Sequence, residues 1–64
     1  KMAKELVAAR DLSHGHVITR EDVAIKSPGD GLPPYELEGI LGRRTKVPVA
    51  ADESLRFDQF EEPR

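Results

Sequence analysis

Nine residues, Lys26-Ser27-Pro28-Gly29-Asp30-Gly31-Leu32-Pro33-Pro34, hold two glycines and three prolines and split the chain into two short halves. Proline fixes φ and removes a hydrogen-bond donor, whereas glycine opens φ > 0. No helix or strand runs through such a stretch. The chain is confined to short elements on either side, and the stretch itself makes a rigid, shaped loop. Composition leaves open whether that loop only connects the halves or meets a ligand.

With 64 residues and no cysteine, the chain forms one small domain that buries only about 60% of the surface its unfolded form exposes. Disulfides, thiolate metal sites and a thiol nucleophile are excluded. The core must come from Leu, Val and Ile together with Phe57 and Phe60. Net charge is −2 with both signs mixed, and Tyr35, Phe57 and Phe60 are the only aromatic residues. Arg43-Arg44 with Lys46 is the nearest approach to a basic cluster, which falls short of the basic, aromatic-bearing face of a nucleic-acid module. No apolar run is long enough to span a membrane and no signal peptide is visible. The opening Lys1-Met2-Ala3 suggests a segment of a longer protein; the lack of cysteine does not fix the compartment but is compatible with the expected cytoplasmic location.

Residues 1–5 read as a polar, frayed start. Leu6-Val7-Ala8-Ala9 reads as a strand, Ser13-His14-Gly15 as a turn with Gly15 at φ > 0, and His16-Val17-Ile18 as a second strand. Thr19 opens a helical turn whose Asp22 carboxylate reaches back to the cap. Val23-Ala24-Ile25 returns to extended backbone. After the loop, Pro34 suits the first position of a helix, Leu37, Ile40 and Leu41 form one apolar stripe, and Gly42 stops it ahead of Arg43-Arg44. Thr45–Val49 is a third extended stretch, with Pro48 marking an edge. Ala50–Glu53 turns, Ser54-Leu55 is a brief strand, Arg56–Phe60 is a helical or 3-10 turn, and Glu61–Arg64 is a polar tail.

The halves echo one another. Leu12-Ser13-His14-Gly15-His16-Val17-Ile18-Thr19-Arg20-Glu21-Asp22-Val23 lies without a gap over Val49-Ala50-Ala51-Asp52-Glu53-Ser54-Leu55-Arg56-Phe57-Asp58-Gln59-Phe60. Each half reads as strand, turn, strand and short helical turn, which predicts two half-clips on one core with pseudo-twofold symmetry.

The chemistry-bearing residues are sparse. His14 and His16, at i, i+2, share a strand face and could supply two metal ligands, but nothing nearby completes the set, and they read as solvated turn residues. Glu21-Asp22, Asp52-Glu53 and Glu61-Glu62 read as solvated or capping carboxylates, since acid–base work needs a cleft. Ser13, Ser27 and Ser54 lack a nucleophile-elbow context. Pro28-Gly29-Asp30-Gly31 lacks the Gly-Lys-Ser/Thr ending of a phosphate loop, so it could offer backbone amides to an anion only weakly.

The ordered set Leu6-Val7-Ala8-Ala9-Arg10-Asp11-Leu12, Gly15 through Val23, Lys26-Ser27-Pro28-Gly29-Asp30-Gly31-Leu32 and Ile40-Leu41-Gly42-Arg43-Arg44 resembles the SAF domain. More narrowly, it is similar to the antifreeze-like C-terminal domain of bacterial sialic acid synthases. The resemblance covers about residues 5–60. It implies a mostly β fold, the β-clip, of short strands and single-turn helices. It also implies a parent enzyme in which a (β/α)₈ barrel condenses phosphoenolpyruvate with N-acetylmannosamine or a related amino sugar, using a divalent metal, Mn or Mg. The implied dimer is domain-swapped, with this domain covering the partner subunit's barrel. Lys26, Ser27, Pro28, Gly29, Asp30 and Gly31 would then face the sugar, and the domain itself would hold neither cofactor nor catalytic residue.

One position departs from that family. Its well-known members carry arginine directly before Pro-Gly-x-Gly, where this chain has Ser27, which offers neither the charge nor the forked donors. Ser27 makes a smaller hydrogen bond, another residue covers the sugar, or the acceptor sugar differs. The fold is also shared with fish type III antifreeze proteins, flagellar P-ring chaperones, pilus-assembly proteins and altronate dehydratases. Ice adsorption needs a flat, largely uncharged face, and Arg20, Glu21 and Asp22 beside Thr19 argue against it. An assembly or binding module is the alternative to the enzyme domain.

Overall fold

The computed structural model describes residues 3–27, 29 and 31–62. β1 spans Glu5–Ala8 and pairs antiparallel with β2, Val23–Lys26; Glu5 lies opposite Lys26 and Ala8 opposite Val23. All four residues of β1 are buried. Leu6 and Ala8 enter the core, and Val7 forms a further single bridge to Ser54. The frayed start expected through residue 5 is corrected here: Glu5 is 8% exposed because its side chain lies under the Lys26–Gly31 loop.

The other expected strands are shorter than sequence suggests. Val17 bridges Arg44, Leu12 bridges Val49 and Thr45 bridges Phe60, each as an isolated pair. Each of these antiparallel pairings lasts one residue. The helical turns fall where caps and prolines place them. Arg20–Asp22 and Phe57–Gln59 are 3-10 turns, and Pro34–Glu36 is a 3-10 turn leading into α1, Leu37–Ile40. Gly42 ends that segment at φ 84° and donates its N–H to the Ile18 carbonyl at 3.0 Å, a conformation costly for any residue with a Cβ.

The pseudo-twofold relation extends to individual hydrogen bonds. The Gly15 N–H donates to the Thr45 carbonyl (2.9 Å), and the Asp52 N–H to that of Ala8 (2.8 Å). Ile18 donates to Arg43 (3.0 Å) as Leu55 does to Leu6 (2.9 Å), and Ala9 to Asp22 (2.8 Å) as Lys46 does to Gln59 (2.8 Å). Gly15 and Asp52, aligned in sequence, both adopt positive φ, 83° and 71°. Aspartate is among the few residues with a Cβ that tolerate this region.

The core joins Leu6, Ala8, Leu12, Ile18, Ile40, Val49, Leu55 and Phe60, with Val23, Leu32 and Leu37 against it. Burying a side chain such as Leu55 stabilises by roughly 1.5–3 kcal/mol. Phe57, expected inside, is 41% exposed. It begins a 3-10 turn at the position that Arg20 holds in the other half, which faces outward; the Arg43 guanidinium lies 5.4 Å from its ring centroid. No helix among the described residues is long and apolar enough to cross a membrane.

Candidate functional site

The Lys26–Gly31 loop leaves the end of β2 and returns to the body at Leu32. Backbone bonds fix its return: Leu32 donates to Leu55 (3.0 Å) and accepts from Leu6 (2.8 Å). Within the loop, the Gly29 N–H donates to the Ala3 carbonyl (3.0 Å) and the Gly31 N–H to Glu5 Oε1 (3.0 Å). Lys26, the last residue of β2, reaches Asp52 Oδ1 with Nζ at 3.0 Å, tying the loop's entry to the turn of the second half. Both partners are more than half exposed, so the tie contributes little energy beyond orienting Lys26. Ser27 is exposed. Pro28 and Asp30, both expected at the site, lie outside the described residues.

The glycines of this loop supply room. A Cβ on Gly29 would fall 2.1 Å from Glu5 Cδ, and one on Gly31 would fall 2.6 Å from Glu5 Oε1, 3.1 Å from Ser54 Cβ and 3.2 Å from the Leu55 carbonyl oxygen. The Glu5 carboxylate therefore sits against both glycines. The Gly31 amide is taken by a carboxylate of the same chain and the Gly29 amide by a backbone carbonyl, so neither is free to bind an external anion. Sequence reading missed Glu5. The available signal was the i, i+2 spacing of Gly29 and Gly31, which asks what fills the space beside them without naming the residue.

A second polar cluster caps the first half. Asp22 is 2% exposed, and its Oδ2 accepts from the Thr19 N–H (2.8 Å) and hydroxyl (3.0 Å) and meets His16 Nε2 at 2.7 Å. Burial alone would raise the Asp22 pKa. The hydrogen bonds from His16 and from the Thr19 backbone and hydroxyl outweigh it and hold the carboxyl below the usual aspartate value. In the second half the same positions are Gln59, which accepts from the Arg56 N–H (2.9 Å), and Glu53, which receives the Gln59 amide at 3.4 Å. His16 is thus turned to Asp22, while His14 is exposed on the turn. Among the described residues no group of three or more His, Cys, Asp or Glu side chains is arranged to hold a metal ion.

An open groove of about 560 Å³ straddles the pseudo-twofold axis, floored by Leu12, Val49 and Pro48 with Asp11, His14 and Glu53 around it. Its carboxylates are engaged locally: Asp11 accepts from the Ala51 N–H (2.8 Å) and Glu53 from the Ala50 N–H (2.9 Å). None of the loop residues lines it.

Comparisons with known proteins agree with this architecture. The model of the SAF domain matches residues 5–61. The N,N'-diacetyllegionaminic acid synthase of Legionella pneumophila subsp. pneumophila is 31% identical over 58 residues, covering 91% of this chain and 16% of that protein. The crystal structure of flagellar protein FlgA from Thermotoga maritima MSB8 superposes with a TM-score of 0.79 over 98% of this chain and 26% of that one, at 22% identity, a likeness of fold.

Proposed function

The chain belongs to the SAF domain family, and from that membership we propose that it is the non-catalytic, substrate-orienting domain of a sialic acid synthase-type enzyme. Such an enzyme condenses phosphoenolpyruvate with N-acetylmannosamine or a related amino sugar. The observation that carries this reading is the 31% identity to a legionaminic acid synthase across 91% of the chain. The loop supports it. Gly29 and Gly31 are held by Ala3 and Glu5, Leu32 is held by Leu6 and Leu55, and Ser27 is exposed.

In this reading the chain is the C-terminal part of a cytoplasmic protein, and its loop closes over the barrel of the partner subunit in a domain-swapped homodimer. Its contribution is positioning the sugar and excluding water at the barrel mouth. With Ser27 in place of arginine, the contact to the sugar is a neutral hydroxyl, which suits an acceptor recognised by single hydrogen bonds. The described residues do not fit the divalent metal of such an enzyme. In this reading that ion belongs to the barrel.

The test is phosphate release by the full-length protein in the presence of phosphoenolpyruvate and an amino sugar. Release that requires both substrates is expected, and the isolated domain should give none. A full-length protein inert with every amino sugar tested would overturn the reading and leave the assembly-module alternative.

A further inference from the structure

We infer that Glu5 is the positioning residue of the Lys26–Gly31 loop: its buried carboxylate is the template against which the loop takes its shape. Three observations converge on it. Glu5 is 8% exposed although it opens a strand near the chain's start, where a glutamate ordinarily faces water. Its Oε1 accepts the Gly31 N–H at 3.0 Å, a charge-assisted bond in a partly buried setting. Gly29 and Gly31 both lie so close to it that a Cβ on either would overlap its side chain.

The register explains how a residue far away in sequence reaches the loop. Glu5 pairs with Lys26, the residue at which the loop begins. The loop then folds back over β1, with Gly29 bonded to Ala3 and Leu32 to Leu6 on either side of Glu5. A carboxylate has only acceptors to offer, and the Gly31 N–H is the loop donor that reaches it. Removing it leaves the Gly31 N–H without its acceptor and opens a space beneath both glycines. Gly29 and Leu32 then keep their backbone bonds, but Gly31 loses the group it is held by. Glu5 touches no substrate in this scheme; it acts through the loop by holding Gly29 and Gly31 in place.

This role rests on the proposed function only where it reaches catalysis, and two separate readouts keep them apart. The first is hydrogen exchange over residues 27–32 in the full-length protein. Glu5→Ala is expected to speed exchange at Gly31 by about tenfold or more, as for loss of a hydrogen bond to a charged group. Glu5→Gln, which keeps an acceptor oxygen of the same reach, should restore most of the protection. Gly29→Ala should speed exchange in the parent protein and add little in the Glu5→Ala background, where the space is empty. Unchanged exchange at Gly31 in Glu5→Ala, or additive effects of Gly29→Ala and Glu5→Ala, would overturn the inference.

The second readout is steady-state kinetics of the same variants. Glu5→Ala is expected to raise KM for the amino sugar several-fold while KM for phosphoenolpyruvate holds, with Glu5→Gln close to the parent. A loosened loop with unchanged sugar KM upholds Glu5 as the template and counts instead against a substrate-facing loop.

Discussion

Leu12 and Val49 exchange backbone hydrogen bonds across the point where the two halves meet, Leu12 donating to Val49 at 2.7 Å and Val49 to Leu12 at 2.9 Å. Each is the other's equivalent in the internal repeat, so this pair marks the pseudo-twofold axis, and both side chains are buried. Leu12→Ala is expected to destabilise the domain by about 2–5 kcal/mol, the usual range for a core leucine. Val17→Ala, at a residue 39% exposed, should stay within about 0.5 kcal/mol. Urea denaturation of both variants checks the contrast.

The Asp22 cluster predicts an acid dependence. Because the folded-state pKa of Asp22 is depressed, its contribution is fully present above the unfolded aspartate value and is lost as pH falls through the folded value. Asp22→Asn should cost about 1–3 kcal/mol at neutral pH, because the donors of His16 and Thr19 lose a charged acceptor. It should also flatten the decline in stability below the usual aspartate range. Urea midpoints measured across that range for the parent and the variant give both numbers. An equally steep decline in the variant would assign the acid sensitivity to other carboxylates.

Arg43 occupies the position that core residue Leu6 holds in the first half, as their matched bonds from Ile18 and Leu55 show. Its Nε is buried without a hydrogen-bond partner among the described residues, while its guanidinium lies over Phe57. Leucine here would remove the unpaired donor, a penalty of about 1–3 kcal/mol. It would forfeit a cation–π contact worth about 0.5–1 kcal/mol at an exposed ring. Arg43→Leu is therefore expected to match or exceed the parent in thermal stability, and Arg43→Ala to fall below both. A melting series of the three proteins decides it.

Within the loop, Ser27→Ala and Gly31→Ala separate contact from shape. Ser27 is exposed, so its alanine variant should keep full stability and raise KM for the amino sugar alone, in line with the proposed function. Gly31→Ala presses on the Leu55 carbonyl and Ser54 as well as Glu5, and the backbone oxygen cannot swing aside. It should cost about 1–3 kcal/mol by overpacking in addition to any kinetic effect. Denaturation curves and sugar kinetics on both variants distinguish the two roles.

Much of this fold could be read from local punctuation. Pro34 and Gly42 bracket the helical segment, Thr19 and Asp22 announce the first 3-10 turn, and the gapless alignment of the halves carried the symmetry. Those signals act within a few residues of one another. Phe57 was misplaced because an aromatic residue reads as core on its own. The alignment already held the correction, since it sets Phe57 on Arg20 and the buried Phe60 on Val23. Glu5 was invisible for a different reason. Its partner Gly31 is joined to it only through strand register, and a charged residue before an apolar run reads as solvent-facing.

The single-residue bridges carry a kinetic consequence. The first half pairs β1 with β2 on its own, but the two halves complete one another: Ala8 donates to Glu53, Gly15 to Thr45 and Val49 to Leu12. A lone two-stranded pair is marginal in water, so the late residues must arrive before the early ones are firmly held. With loop closure required before most contacts reward it, the domain should fold in one concerted step, more slowly than a helical chain of equal length.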